Sequence, residues 1–370
     1  MPRAVCYHLH EVIMNYLSAR CRSVTPYVAG EQPRGSVFVK LNTNECPYPP
    51  SPAVEKVLKD FDAGVLRLYP DPDNIALKDA VAKKYGLKRE NVFVGNGSDE
   101  VLALCFPTFF DEGDAVAFAD VTYTFYKVWA HAFGLVSHVV PVNDELKISA
   151  EDYLSLPSKV KGIVICNPNA PTGMPMPRAD LINIISSNPD KIVIADEAYC
   201  DFAQESMIGY LNDFPNLVIV KTLSKAYALA GARCGFALAS PELIAGLNTV
   251  KNSFNSYTVN AVTEKLAVAA LEDAPYYAAV ADKIVRQRET TSDALRELGF
   301  EVLPSRTNFI FAGHKKIPAS EIYFSLKENG VLVRHFKTDR INNFVRITIG
   351  TPEQMNVLLD KVKKLLKGKL

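Results

Sequence analysis

The stretch IVIADEAYCDFAQESMIGYLNDFPNLVIVKTLSK (192–225) contains two short apolar runs, Ile192 to Ala195 and Leu217 to Val220. Apolar runs without alternation are typical of parallel strands that are covered on both faces. Asp196 directly follows the first run, and Lys225 follows the second in a loop that contains Thr and Ser. Because ligands bind beyond the carboxyl ends of parallel strands, we expect both side chains at one edge of a sheet.

Further apolar runs lie on either side of this stretch and alternate with helical patterns. They are Asn91 to Val94, Ala115 to Phe118, Gly162 to Cys166 and Gly235 to Ala239. Alternation of strands and helices is the pattern of crossover units on a parallel sheet. The sequence therefore predicts an α/β fold with a large domain built on a mostly parallel central sheet.

The pattern changes after residue 240 and indicates a second unit. Its predicted elements are helices at 261–271 and 276–298 and strands at 307–312, 331–334 and 344–349. Pro352 then starts an amphipathic pattern that predicts a carboxyl-terminal helix. We predict a large domain at 54–260 and a smaller α+β domain at 261–370. Residues 1–53 are expected to form an N-terminal arm and part of the smaller domain.

The composition excludes several classes of partner. The chain has 370 residues, and 41 Lys and Arg balance 41 Asp and Glu. Steering of nucleic acid or of an anionic membrane needs net or clustered charge, so we expect neither as a partner. The seven cysteines are scattered without a Cys-x-x-Cys pair, which indicates neither a disulfide framework nor a zinc site. These features predict a cytoplasmic protein that binds a small molecule or another copy of itself.

The amino-terminal residues give little functional information. His8, His10 and Glu11 interrupt the apolar segment that a signal peptide would need. The two histidines also lack the spacing of metal ligands, so we expect no metal site there.

The segment GNGSDE (95–100) follows a predicted strand and leads into a helical pattern. Its flexible backbone and free N–H groups form an anion site suited to a phosphate, whereas a tight turn with Ser98 as the helix N-cap is the alternative. The third glycine position of the dinucleotide fingerprint is Glu100 here, and no GxxxxGK[ST] motif occurs. The sequence therefore indicates neither a dinucleotide site nor a nucleoside triphosphate site.

Asp196 and Lys225 each allow two interpretations when they are considered separately. A carboxylate after an apolar run is partly removed from water and should have a cationic partner, or it forms a structural salt bridge or helix cap. A lysine after a strand is usually a solvated surface residue, but a neighbouring cation can lower its pKa and make it a nucleophile. The choice between these interpretations therefore depends on the other motifs with which the two residues occur.

Nine sequence blocks run through most of the chain. They are LNTNECPYPP (41–50), RLYPDPDN (67–74), GNGSDE (95–100), TYTFY (122–126), NPNAPTG (167–173), DEAYCDF (196–202), TLSKAYALAGARCGF (222–236), TNFIF (307–311) and VRITIGT (345–351). Together they resemble the fold-type I pyridoxal phosphate aminotransferases, and among these the enzymes that act on histidinol phosphate. The block at 222–236 is highly specific, because it joins the cofactor-binding lysine to a phosphate-binding arginine.

The resemblance implies pyridoxal 5'-phosphate as the cofactor. It implies that Lys225 binds the cofactor aldehyde and moves a proton, that Asp196 pairs with the pyridine nitrogen, and that Tyr199 binds the ring's 3-oxygen. The other implied cofactor contacts are Tyr123 on the ring face and Gly97, Ser98, Asp99, Ser224 and Arg233 around the phosphate.

One block departs from the family pattern. The asparagine that contacts the 3-oxygen in the family directly precedes a proline, and that position is Ala170 here. Either Asn169 serves after a small backbone shift, or Tyr199 makes the contact alone.

The resemblance also implies substrate contacts and a homodimer. Tyr69 resembles the tyrosine that reaches the cofactor phosphate of the neighbouring subunit. Arg346 resembles the arginine that binds the acidic group of the substrate, and Arg334 and Tyr27 resemble contacts to the substrate phosphate. Surface or packing roles remain the alternative for Arg334 and Tyr27.

The implied reaction is reversible transamination between histidinol phosphate with 2-oxoglutarate and imidazole acetol phosphate with glutamate, in histidine biosynthesis. An aromatic-amino-acid aminotransferase or a threonine-phosphate decarboxylase is the alternative on the same framework. A nicotinamide dehydrogenase would need the fingerprint that GNGSDE lacks. A catalytically inactive relative would be expected to have lost Lys225 or Asp196, and both are present.

Overall fold

The computed structural model describes residues 16–28, 30–32 and 39–369 of the chain. The first 15 residues, which include His8 and His10, lie outside the described residues. The predicted domain boundaries, including the arm at 1–53, stay a prediction.

Helices and strands alternate through the first two thirds of the chain. The described helices are α1 (Ala19–Ser23), α2 (Pro52–Lys59), α3 (Ile75–Tyr85), α4 (Ser98–Phe109), α5 (Phe125–Ala132), α6 (Arg178–Ser187), α7 (Cys200–Ala203), α8 (Pro241–Phe254), α9 (Ala261–Glu272), α10 (Ala274–Glu297), α11 (Ala319–Glu328) and α12 (Pro352–Leu366). The described strands are β1 (Val39–Lys40), β2 (Val92–Gly95), β3 (Ala115–Ala119), β4 (Val136–Val140), β5 (Val160–Cys166), β6 (Ile192–Asp196), β7 (Leu217–Thr222), β8 (Gly235–Leu238), β9 (Phe300–Val302), β10 (Phe309–His314), β11 (Val331–Leu332), β12 (Arg334–His335) and β13 (Phe344–Thr348).

The largest sheet has seven strands in the order β2-β8-β7-β6-β5-β3-β4. Its neighbouring strands are parallel, except that β8 runs antiparallel to both β2 and β7. Every residue of β2, β3 and β7 is buried, which explains why these strands appear in the sequence as continuous apolar runs. The predicted α/β class with a mostly parallel sheet is confirmed.

The sequence pattern does not predict strand β4. It lies at the edge of the sheet and pairs only with β3. Val136 and Val139 are about half exposed, and Ser137 and His138 lie between them, so the segment lacks the continuous apolar run of the central strands. An edge strand has a weaker hydrophobic signal because one side of it faces solvent.

A four-stranded antiparallel sheet, β12-β13-β10-β9, follows the large sheet along the chain. The strand predicted at 331–334 is divided in two: β11 pairs with β1, and β12 joins the four-stranded sheet. Helices α9, α10 and α12 form close to where the helical patterns predict them. Thr351 caps α12, since its hydroxyl accepts from Gln354 N while Gln354 Oε1 accepts from Thr351 N.

Helix α1, the first in the described part of the chain, lies against the large sheet's helices and loops. Arg20 forms a 2.6 Å ion pair with Glu112, and Ser23 Oγ lies 2.8 Å from His131 Nε2. These contacts place the segment at 23–28 beside α5, where it forms part of a cavity described below.

Within the described part of the chain, no helix combines the length and apolarity needed to cross a membrane. The same residues contain no cluster of His, Cys, Asp and Glu suited to hold a metal ion.

Candidate active site

Two neighbouring cavities lie at the carboxyl edge of the large sheet. The smaller has a volume of about 110 Å³ and the larger about 660 Å³, and Tyr123 and Ala170 line both. The predicted site residues that line the smaller cavity are Ser98, Asp99, Tyr123, Asp196, Tyr199, Ser224, Lys225 and Arg233. The fold therefore brings Asp196 and Lys225, which are 29 residues apart in the sequence, to one sheet edge as expected.

Asp196 is the last residue of β6 and is buried. Its Oδ2 accepts from the Tyr126 hydroxyl at 2.6 Å, and its Oδ1 accepts from the Ala198 N–H at 3.2 Å. Burial raises the pKa of this carboxyl to about 6, although the hydrogen bond from Tyr126 opposes the shift. Both donors are neutral, so the carboxylate is well suited to a cationic group placed in the cavity.

Lys225 lies three residues beyond the end of β7, and its ammonium stands 5.7 Å from the centre of the Tyr199 ring. Burial lowers the pKa of Lys225 to about 8, and the charge of Arg346 adds to this effect. The carboxylates of Asp99 and Glu45 partly offset it. A lysine with this pKa has a populated neutral amine near pH 8, as a nucleophile requires.

A candidate anion site lies where α4 begins. Gly97 precedes α4 with a φ of +86°, and a Cβ at this position would lie 2.5 Å from Arg233 Nη2. Glycine at this position therefore allows the guanidinium to approach the N-terminus of a 12-residue helix. Together with the hydroxyls of Ser98 and Ser224 in the cavity wall, this arrangement fits a phosphate.

Asp99 links the anion site to the ring of Tyr123. Its Oδ2 lies 3.0 Å from Arg233 Nη2, and its Oδ1 accepts from the Tyr123 hydroxyl at 2.8 Å. Tyr123 is thereby oriented along the wall shared by the two cavities.

Tyr199 is buried between the cavity and the four-stranded sheet. Its ring meets Phe309 edge to face at 5.2 Å, and its hydroxyl oxygen accepts from Asn44 Nδ2 at 2.9 Å. Burial raises the pKa of Tyr199, so the phenol keeps its proton.

The larger cavity contains the residues predicted to contact substrate. Tyr27, Arg334 and Arg346 all line it, and Tyr27 stacks on Phe125 with ring centroids 4.4 Å apart. Arg334 Nη2 donates to Val28 O at 3.0 Å. The cavity therefore has two guanidinium groups in its wall and the segment at 23–28 along its side.

Arg346 has a buried donor that is unused among the described residues. Its Nη2 donates to Asn42 O at 3.1 Å, whereas its Nε is buried without a hydrogen-bond partner. The guanidinium lies 5.3 Å from the Phe309 ring and 5.6 Å from the Phe336 ring. Burial lowers the pKa of Arg346, and a bound anion would compensate for that unfavourable desolvation.

Asn169 and Tyr69 are not brought together with the other predicted residues. The Asn169 amide accepts from Thr122 Oγ1 and donates to Val121 O, both at 2.8 Å, and Ala170 lines the cavity instead. Tyr69 is 81% exposed and stacks on Tyr257 at 4.6 Å, outside the lining of both cavities.

The sequence patterns do not single out the two residues that hydrogen-bond through their side chains to Asp196 and Tyr199. Tyr126 belongs to the block TYTFY (122–126), three residues after Tyr123, and Asn44 belongs to LNTNECPYPP (41–50). Their membership of motif blocks was the available signal, but their hydrogen bonds to Asp196 and Tyr199 depend on long-range packing.

Comparison with known proteins gives consistent matches over nearly the whole chain. The family model described as aminotransferase class I and II matches residues 36–362. A histidinol-phosphate aminotransferase of Marinomonas sp. is 49% identical, and the alignment covers 93% of this chain and 97% of that protein. One of Brachyspira hyodysenteriae is 46% identical over 96% of this chain and 99% of its own length.

A solved structure also matches. It is histidinol-phosphate aminotransferase from Sinorhizobium meliloti in complex with pyridoxal-5'-phosphate, with a TM-score of 0.87 and 25% identity. The match covers 96% of this chain and 98% of that one.

Proposed function

Because this chain belongs to the aminotransferase class I and II family, we propose that it is a pyridoxal-phosphate-dependent transaminase of histidine biosynthesis. It interconverts histidinol phosphate and 2-oxoglutarate with imidazole acetol phosphate and glutamate. The relatives of 46% and 49% identity support this substrate pair, because both are histidinol-phosphate aminotransferases.

The smaller cavity fits the cofactor at both of its charged ends. Asp196, whose donors are neutral, would hold the protonated pyridine nitrogen, and the N-terminus of α4 with Ser224 and Arg233 would hold the phosphate. Tyr123 would lie on the ring face, and Tyr199 would donate to the 3-oxygen. Bound pyridoxal phosphate supplies an aldehyde that reacts with amines and a ring that accepts an electron pair.

Lys225 would hold the aldehyde and then move the proton of the reaction. Its pKa of about 8 leaves Nζ able to be either a free amine or an ammonium near physiological pH. The same nitrogen can therefore take a proton from the substrate carbon and return it on the cofactor side.

Arg346, Arg334 and Tyr27 would bind the acidic groups of the two substrates. Histidinol phosphate carries a phosphate and glutamate carries carboxylates, and a guanidinium can hold two oxygens of either group. The buried Nε of Arg346, which has no partner, supplies one donor for this purpose.

The observation that carries the proposal is that the cavity with both arginines adjoins the cavity with Lys225 and Asp196, sharing Tyr123 and Ala170 as a wall.

The test is a substrate panel on the purified, cofactor-loaded protein. We expect histidinol phosphate with 2-oxoglutarate to yield glutamate, and Lys225→Ala to abolish turnover. No glutamate from this pair, with good turnover of an aromatic amino acid, would contradict the substrate assignment. Release of carbon dioxide from threonine phosphate without a keto acid would indicate the decarboxylase.

A homodimer with shared active sites is part of the proposal. Leu66, Leu68, Tyr69 and Phe254 are each more than half exposed, and Tyr257 stacks on Tyr69. Large apolar side chains grouped on a surface are typical of protein interfaces. In the dimer, Tyr69 would reach the cofactor phosphate of the other subunit.

The cytoplasm is the proposed location. The cysteines in the described part of the chain, Cys21, Cys46, Cys105, Cys166, Cys200 and Cys234, are all free thiols. Free thiols are expected in a reducing compartment.

A further inference from the structure

Asn44 lies in the segment between β1 and α2, and this segment contacts the four-stranded sheet. It is buried, and its backbone is in the left-handed region with a φ of 56°. Asn308 Nδ2 donates to Asn44 O at 3.0 Å, and the Asn44 N–H donates to Thr348 Oγ1 at 2.9 Å. These bonds to β13 and to the residue before β10 fix the position of Asn44.

The two ends of the Asn44 amide face Thr348 and Tyr199. Thr348 Oγ1 accepts from the Asn44 N–H, and its own proton goes to Asn44 Oδ1 at 3.1 Å. The other end of the amide, Nδ2, lies 2.9 Å from the Tyr199 hydroxyl. An amide nitrogen only donates, so the Tyr199 oxygen must be the acceptor.

The consequence concerns the hydroxyl proton of Tyr199. A phenol that accepts from Asn44 keeps its own O–H for a different acceptor, and burial raises its pKa so that the proton is retained. Tyr199 lines the smaller cavity, in which Ala170 replaces the asparagine that the family pattern has before the proline. Asn169 cannot substitute, because its amide is bonded to Thr122 and Val121.

We propose that Asn44 is a positioning residue that directs the Tyr199 proton into the cavity, where Tyr199 donates it to the 3-oxygen of the bound cofactor without help from an asparagine. This inference rests on the proposed function, which supplies the cofactor. In this chain the 3-oxygen of the cofactor would therefore depend on the Tyr199 hydroxyl, whose orientation is set by Asn44 and, through it, by Thr348.

The test is the isosteric substitution Asn44→Asp in the cofactor-loaded enzyme. A carboxylate accepts from Thr348 and also from Tyr199, so the Tyr199 proton turns away from the cavity. Tyr199 would then no longer donate to the 3-oxygen, which would become more basic and hold a proton more tightly. We expect the pKa that governs the visible absorbance of the bound cofactor to rise by roughly one to two units, as for Tyr199→Phe.

Two controls separate this effect from that of an added charge. Asn42→Asp places a carboxylate at another buried position of the same segment, where the amide donates to Glu31 O and not to Tyr199. We expect it to shift the absorbance pKa much less. In the Tyr199→Phe background, Asn44→Asp should add no further shift.

Three outcomes would overturn the inference. They are an unchanged absorbance pKa in Asn44→Asp, an equal shift in Asn42→Asp, and a shift that persists in the Tyr199→Phe background. The proposed function is tested separately, by turnover of histidinol phosphate in the unmodified enzyme. An active enzyme with no shift in Asn44→Asp refutes only the role of Asn44.

Discussion

At the scale of single residues, the site depends on two ionisable groups whose pKa values move towards each other. Burial raises the pKa of Asp196 to about 6 and lowers that of Lys225 to about 8. Both shifts arise from the same desolvation at the sheet edge. The hydrogen bonds that Asp196 accepts from neutral donors limit the rise of its pKa. The charge of Arg346 lowers the pKa of Lys225 further.

Tyr126→Phe should weaken the proposed hold of Asp196 on the pyridine nitrogen. The variant removes a 2.6 Å hydrogen bond to a buried carboxylate, which is worth about 1.5 to 3 kcal/mol. We expect the affinity for the cofactor to fall by roughly ten to a hundred fold. We also expect the acid limb of the plot of kcat against pH to shift to higher pH, because the pKa of Asp196 rises without this hydrogen bond. Tyr153→Phe is the matched control, because that hydroxyl is also buried but has no hydrogen-bond partner. Equal losses in the two variants would refute the contribution of Tyr126.

The raised pKa of Asp196 predicts that the cofactor-free protein loses folding stability as the pH rises. Between pH 3.8 and about 6 the folded protein binds this proton more tightly than the unfolded chain does. The associated stability is full below pH 3.8 and is lost as the pH rises through 6. Asp196→Asn should therefore become more stable than the unmodified protein, by up to about 3 kcal/mol, as the pH rises from 4 to 7.

The measurement is urea unfolding of both cofactor-free proteins at several pH values. Asp190→Asn is the control, since Asp190 is mostly exposed and its pKa is lowered by Lys191. A stability difference between Asp196→Asn and the unmodified protein that stays constant over this range would contradict the prediction.

At the scale of elements, the anion site requires β8 and α4 to approach closely. A Cβ at Gly235, the first residue of β8, would lie 2.3 Å from Ser98 N and 2.5 Å from Gly97 C. The neighbouring atoms are backbone, so they cannot move away as a flexible side chain could. The glycine in the block at 222–236 is thus required by the packing of the strand against the helix start.

Gly235→Ala should displace the first turn of α4 and reduce affinity for pyridoxal phosphate. Because the displaced N–H groups are the proposed phosphate donors, we expect a loss of at least about tenfold, together with a lower midpoint of unfolding. Equilibrium binding followed by absorbance measures the first effect. Gly209→Ala is the control, since a Cβ there meets nothing within 4 Å. Normal cofactor affinity in Gly235→Ala would refute the role given to this packing.

At the scale of the whole molecule, the exposed apolar side chains around Tyr69 predict that the site is completed by a second copy of the chain. Lys225→Ala and Tyr69→Ala should each be inactive alone, because each removes one contribution to every site. In mixed dimers one site has both defects and the other has neither. We expect about a quarter of the unmodified activity after equal amounts are unfolded and refolded together.

Sedimentation of the unmodified protein, which should give a dimer, accompanies this measurement. Lys225→Ala mixed with Lys225→Arg is the control and should stay inactive, because both changes affect the same residue. A monomer, or no recovery of activity in the first mixture, would contradict the shared site.

The sequence by itself determined the class of the fold and, through its motif blocks, the family and its cofactor. Buried central strands need continuous apolar runs, and a parallel sheet places its ligand groups directly after them, so the sheet-edge positions of Asp196 and Lys225 could be predicted from the runs. Their roles follow from the resemblance of the motif blocks. The sequence gives no such signal for strand β4, because an edge strand needs no continuous apolar run. Only the tertiary structure decided which groups orient the site. Tyr126 reaches Asp196 across 70 residues, and Asn44 is fixed by Thr348 across 304 residues. Hydrogen bonds of this kind depend on packing between distant elements, and no local pattern records that packing.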